Sequence, residues 1–119
     1  MEGLITELPQ PYHQKVFEIW EELSNIYNIT KARGTTPIPH FSWHVAESYT
    51  NDLMEPIQRF LHHHQPPPVK TTGLGVFHGV IPVVYIAIQA KLELVKFHRD
   101  LIDEILPFAK ESIQLYEPR

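Results

Sequence analysis

A chain of 119 residues, 43% apolar and 20% charged, has the length of one domain and a globular balance, which excludes a second core beside the first and excludes wholesale disorder despite 11 prolines. With no Cys, disulfide frameworks, thiolate nucleophiles, iron–sulfur clusters and thiolate zinc sites are excluded as well, so any chemistry falls to His, carboxylate and hydroxyl groups. The formal net charge of −4 at pH 7 disfavours a broad polyanion-binding surface, although protonating the eight His reverses its sign.

Gly3 to Leu8 reads as a short strand, ended by Pro9 and Pro11. From Tyr12 to about Ile29, the residues Val16, Ile19, Trp20, Leu23, Ile26 and Tyr27 recur at helical spacing and predict an amphipathic helix. Lys31 to Pro39 is a loop. The alternating stretch His40-Phe41-Ser42-Trp43-His44-Val45-Ala46 predicts a strand with Phe41, Trp43 and Val45 on one side and His40, Ser42 and His44 on the other. Thr50 or Asn51 caps a second helix striped by Leu53, Ile57, Phe60 and Leu61, which ends near His62-His63-His64 and is stopped by Pro66-Pro67-Pro68. Val69 to Phe77 and Pro82 to Ala90, β-branched runs around Gly79, predict an antiparallel hairpin. A last helix runs from about Leu92 to Leu106, with Leu94, Leu101 and Ile105 on one stripe and Val95 and Ile102 beside it, and Pro107 breaks it. The order β-α-β-α-β-β-α predicts an α+β fold over 1–119, with helices packed on a small, mostly antiparallel sheet. No apolar run approaches the ~20 residues of a membrane span, and the N-terminus lacks a leader pattern, so a cytoplasmic protein without membrane contact is expected.

His40 and Ser42 are the best candidates for chemistry. Residues i and i+2 of a strand project to the same side roughly 6–7 Å apart, close enough to touch one ligand. An imidazole moves a proton near neutral pH, and a hydroxyl donates to a phosphate oxygen without competing for that proton. Such a pair suits a phosphodiester. The duller reading is a half-exposed strand whose polar face meets water.

The segment Pro39-His40-Phe41-Ser42-Trp43, following strand, helix and loop, resembles the first motif of the two-histidine phosphoesterase superfamily, in its 2′-5′ RNA ligase-like, RNA 2′,3′-cyclic phosphodiesterase branch. The resemblance covers most of the chain and includes the Pro-rich turn into the hairpin. It implies a first lobe plus crossover helix of a larger two-lobed domain. His40 is then one general acid/base and Ser42 a phosphate-oxygen donor, acting without metal or other cofactor on RNA ends or small cyclic nucleotides. The reaction implied is opening of a 2′,3′-cyclic phosphate to a 2′-phosphate, or reversible 2′-5′ joining of RNA ends. The family carries two His-x-Thr/Ser motifs, one per lobe, and here there is one. His13, His78 and His98 lack the accompanying hydroxyl, as does His44. A missing second lobe, a homodimer that rebuilds the cleft, or a degenerate binding half would each account for that.

Other features carry weaker expectations. His44, on the predicted face of His40 and Ser42, and Tyr85, on the second hairpin strand, are secondary substrate-contacting candidates; a satisfied structural His and a packing aromatic are the alternatives. Consecutive helical residues point roughly 100° apart, so His62, His63 and His64 cannot converge on one metal ion, and no metal site is expected. Gly73-Leu74-Gly75 lacks the third Gly and the following helix of a nucleotide loop and reads as strand irregularity. Beside the enzyme reading stand two others: a non-catalytic nucleotide or RNA-end binding module, and a structural half-domain that dimerises.

Overall fold

The computed structural model describes residues 1–29, 38–78, 80 and 83–112. Its elements are β1 (Glu2–Glu7), α1 (Tyr12–Tyr27), β2 (His40–Tyr49), α2 (Met54–His63), β3 (Thr71–Phe77), β4 (Val83–Ile88), α3 (Leu92–Ile105), a 3-10 turn (Leu106–Phe108) and β5 (Ala109–Ser112). The protein is α+β. Most of the loop expected between α1 and β2, and the turn at Gly79, lie outside the described residues.

Two small antiparallel sheets replace the single expected one. In the first, β2 is central, flanked by β1 and β5; in the second, β3 pairs with β4, with no further strand among the described residues. β5 is an addition to the expected elements. Pro107 ends α3 as anticipated, but the four residues of β5 are too short to show a period and join the sheet through pairs such as Ala46 with Ser112 and Ser48 with Lys110.

The core lies where α2 and α3 cover one face of the three-stranded sheet. Trp43, Phe60, Leu94, Phe97, Leu101, Ile102 and Ile105 form its buried cluster, and Leu4, Phe41, Leu53, Ile57 and Ile88 pack against it. The stripe of α3 therefore includes Phe97 beside the expected leucines and isoleucines. Pro56, the third residue of α2, is buried without breaking the helix, because an N–H in the first turn has no intrahelical acceptor to lose. α1 behaves differently. It has no buried residue; His13, Val16, Phe17, Trp20, Leu23 and Ser24 are half-buried, and the expected stripe residues Ile19, Ile26 and Tyr27 are exposed.

The register of β1 on β2 corrects the expected alternation. Glu7, Thr6 and Ile5 face His40, Phe41 and Ser42 in turn, but Leu4 then faces His44, so Trp43 is an extra residue, a β-bulge. Directly opposed residues share a face. Thr6 and Leu4 are on the core side, hence so are Phe41, Trp43 and His44. His44 is thus on the opposite face from His40 and Ser42, and Val45 changes sides with it, facing Gly3 across the strand pair. Burial agrees: Trp43 is 9% exposed and His44 0%.

Candidate functional site

His40 and Ser42 lie before the bulge, at the start of β2, and by register share the face of Glu7 and Ile5, while Ser42 also borders the cleft between β2 and α3. Both are half-buried. Their face includes Ile5, 42% exposed, and Glu7, directly across from His40. Leu8 N–H donates to the carbonyl of Pro39 at 3.0 Å, extending the β1–β2 pairing just beyond His40 and fixing the approach to the strand.

The ring of His40 is oriented by backbone. Its Nδ1 is 2.7 Å from the carbonyl oxygen of Ile38, and because that oxygen only accepts, Nδ1 carries the proton. The neutral ring therefore presents Nε2 as its proton-accepting nitrogen, the state a general base needs. Ser42 follows two residues along the strand, paired with Ile5 as His40 is with Glu7. Across the strand, the Glu7 carboxylate is 3.3 Å from His13 Nε2, which offsets its charge when that ring is protonated.

His44 belongs to a different construction. Its Nδ1 is 2.6 Å from the Tyr49 hydroxyl and its Nε2 2.9 Å from Ser112 Oγ. Both hydroxyls donate or accept, so this buried imidazole is satisfied while it ties β5 to β2. Burial raises the Tyr49 phenol above its ordinary value, with the Glu2 carboxylate adding to the rise and the backbone amide of Leu4 opposing it. The expected substrate contact at His44 is incompatible with this placement: the ring is enclosed, and the bulge is the reason.

Tyr85 is not in the sheet that holds His40. It pairs with Gly75 in the hairpin, 37% exposed, its ring lying across the glycine where any Cβ would collide with the hydroxyl end. At Gly73 the backbone takes a φ of +141°, with a register shift between Thr71 and Gly73. This is strand irregularity at a residue that adopts positive φ without a Cβ clash. His64 stacks on Phe60 with centroids 4.1 Å apart and donates from Nδ1 to the Phe60 carbonyl at 3.1 Å, closing the end of α2. Among the described residues no group of three or more His, Asp or Glu is arranged to hold a metal ion, and no helix is long and apolar enough to cross a membrane.

The residues that sequence reasoning passed over surround Trp43. Its indole Nε1–H donates to Thr6 Oγ1 at 2.7 Å, and its backbone carbonyl accepts from His98 Nε2 at 2.7 Å. His98 also helps line a mostly apolar cleft of about 240 Å³ between β2 and α3, with Phe41, Ser42, Trp43, Leu94 and Val95. One signal for His98 was present: it follows Leu94 by four residues and precedes Ile102 by four, so it occupies the buried stripe of α3, where a polar side chain needs a partner. Comparison of the chain with protein-family models, curated proteins and solved structures found no match.

Proposed function

We propose that this chain carries one acid–base half-site of a metal-independent phosphoesterase acting on RNA 2′,3′-cyclic phosphates or 2′-5′ linked RNA ends. The observation that carries the reading is the His40 ring, held through Nδ1–H on the Ile38 carbonyl at 2.7 Å, with Nε2 left as the basic nitrogen and Ser42 two residues along the same strand. The resemblance of Pro39-His40-Phe41-Ser42-Trp43 to a two-histidine phosphoesterase motif supports it.

In hydrolysis, the oxygen of water bonds to phosphorus and the bond from phosphorus to O3′ breaks, leaving a 2′-phosphate. One proton carrier accepts the proton of the attacking water, while a second supplies one to O3′. His40 is one of these carriers, and the Ser42 hydroxyl donates to a non-bridging phosphate oxygen as charge gathers there. The second carrier belongs to a matching half, a further lobe or a second copy of the chain. With a chelator present, a 2′,3′-cyclic nucleotide is expected to be converted to the 2′-phosphate, and His40→Ala to lower the rate by about 100-fold or more. An unchanged rate in that variant removes His40 from the chemistry.

One observation favours a second reading, a nucleotide or RNA-end binding module: a solitary His-x-Ser suffices to bind a phosphate. Saturable nucleotide binding without turnover at any protein concentration would select it.

A further inference from the structure

Resting on that reading, we propose that Thr6 and His98 are positioning residues of the His40–Ser42 half-site, acting together by clamping the Trp43 bulge. The bulge decides which face each side chain of β2 takes. An extra residue leaves its own peptide outside the ladder, and sliding the strand by one position would reverse the side chains on one side of it.

Which side would reverse is set by the neighbours. The segment after the bulge is anchored by His44, bonded to Tyr49 and Ser112, and by the pairing of β5 with Ala46, Ser48 and Tyr49. The segment before it is His40-Phe41-Ser42, paired only with β1 among the described residues. Loss of the bulge therefore turns Phe41 outward and His40 and Ser42 toward the core.

Two hydrogen bonds oppose this change from different elements. Thr6, on β1, accepts the indole N–H of Trp43 at 2.7 Å. From α3, His98 donates Nε2–H to the Trp43 carbonyl at 2.7 Å. The Trp43 ring is wedged against Phe97, with centroids 5.3 Å apart, and against His98 at 5.9 Å. Side chain and carbonyl are thus held separately, which is how a supporting shell keeps a site in geometry.

The test uses the whole chain titrated with adenosine 2′-monophosphate, read by NMR on the His40 ring and the Ser42 amide, together with hydrogen exchange at that amide. Thr6→Val, which keeps shape but removes the acceptor, and His98→Leu are each expected to weaken binding about tenfold and to speed exchange at Ser42. Thr6→Ser and His98→Gln, which retain an acceptor and a donor, are expected to restore both to within about twofold of the parent protein. Phe60→Leu, a core change that leaves both hydrogen bonds to Trp43 in place, serves as the control for general destabilisation and is expected to move both less than either clamp variant. If Thr6→Val and His98→Leu do no more than Phe60→Leu, the clamp is wrong. Should one of them fail to fold, the rescue pair at the other position decides. If the parent chain binds no nucleotide, or His40→Ala binds equally well, the phosphoesterase reading fails instead. Unchanged Ser42 exchange in both variants overturns the clamp even then.

Discussion

The tautomer of His40 is set by a backbone carbonyl. The Ile38 oxygen holds Nδ1–H at 2.7 Å, a contact that selects one tautomer without adding a charge. His44, four residues on, is the contrasting imidazole: enclosed, bonded at both nitrogens, and structural. Its partner Tyr49 gives the network a pH signature. Burial raises the Tyr49 phenol above 10.0, its ordinary value, so the folded state favours the neutral phenol. The resulting stability is fully present below pH 10.0 and is lost as pH rises through the folded value. Tyr49→Phe should cost about 1–3 kcal/mol at neutral pH by removing a hydrogen bond to a buried imidazole, and the gap to the parent protein should narrow above pH 10.0. Denaturant unfolding across pH 7–11 measures it, and a constant gap would contradict the argument.

At the scale of elements, the hairpin and β2 show two uses of irregular strand geometry. In the hairpin, Gly75 lies beneath the ring of Tyr85, a cross-strand arrangement in which the aromatic covers a residue with no side chain of its own. Gly75→Ala should push the ring aside and raise the reactivity of Tyr85 toward nitration. The stability change should stay under about 1 kcal/mol, because the colliding atoms are the free end of a side chain that can rotate. Unaltered reactivity would contradict that packing. β2 shows why part of the site was legible in the sequence. The period of two before the bulge gave His40 and Ser42 one face, and the register has them opposite Glu7 and Ile5 of β1. The same period misplaced His44, since a bulge adds one residue without changing the pattern of apolar and polar letters. β5 was illegible for a related reason: four residues, Ala-Lys-Glu-Ser, are strand only through their pairing with β2.

Across the whole molecule, the helices are distributed unevenly over the sheet. α2 and α3 seal the Trp43 side with Phe60, Phe97 and Ile105, while the His40 and Ser42 side includes the exposed Ile5. Helical periodicity located α2 and α3 because packing against Trp43 and Phe41 enforces it. It located α1 as well, yet no α1 residue is buried; periodicity reports that a helix is amphipathic, and what covers its apolar line is a property of the tertiary arrangement. The central claim is that an imidazole and a hydroxyl on this face grip one phosphate together. Titration of the chain with adenosine 2′-monophosphate, followed on the His40 ring and the Ser42 amide, tests it most directly. Both signals should move along one saturable curve, and His40→Ala should weaken the affinity about tenfold or more. Signals that do not shift, or an affinity that His40→Ala leaves intact, would contradict it.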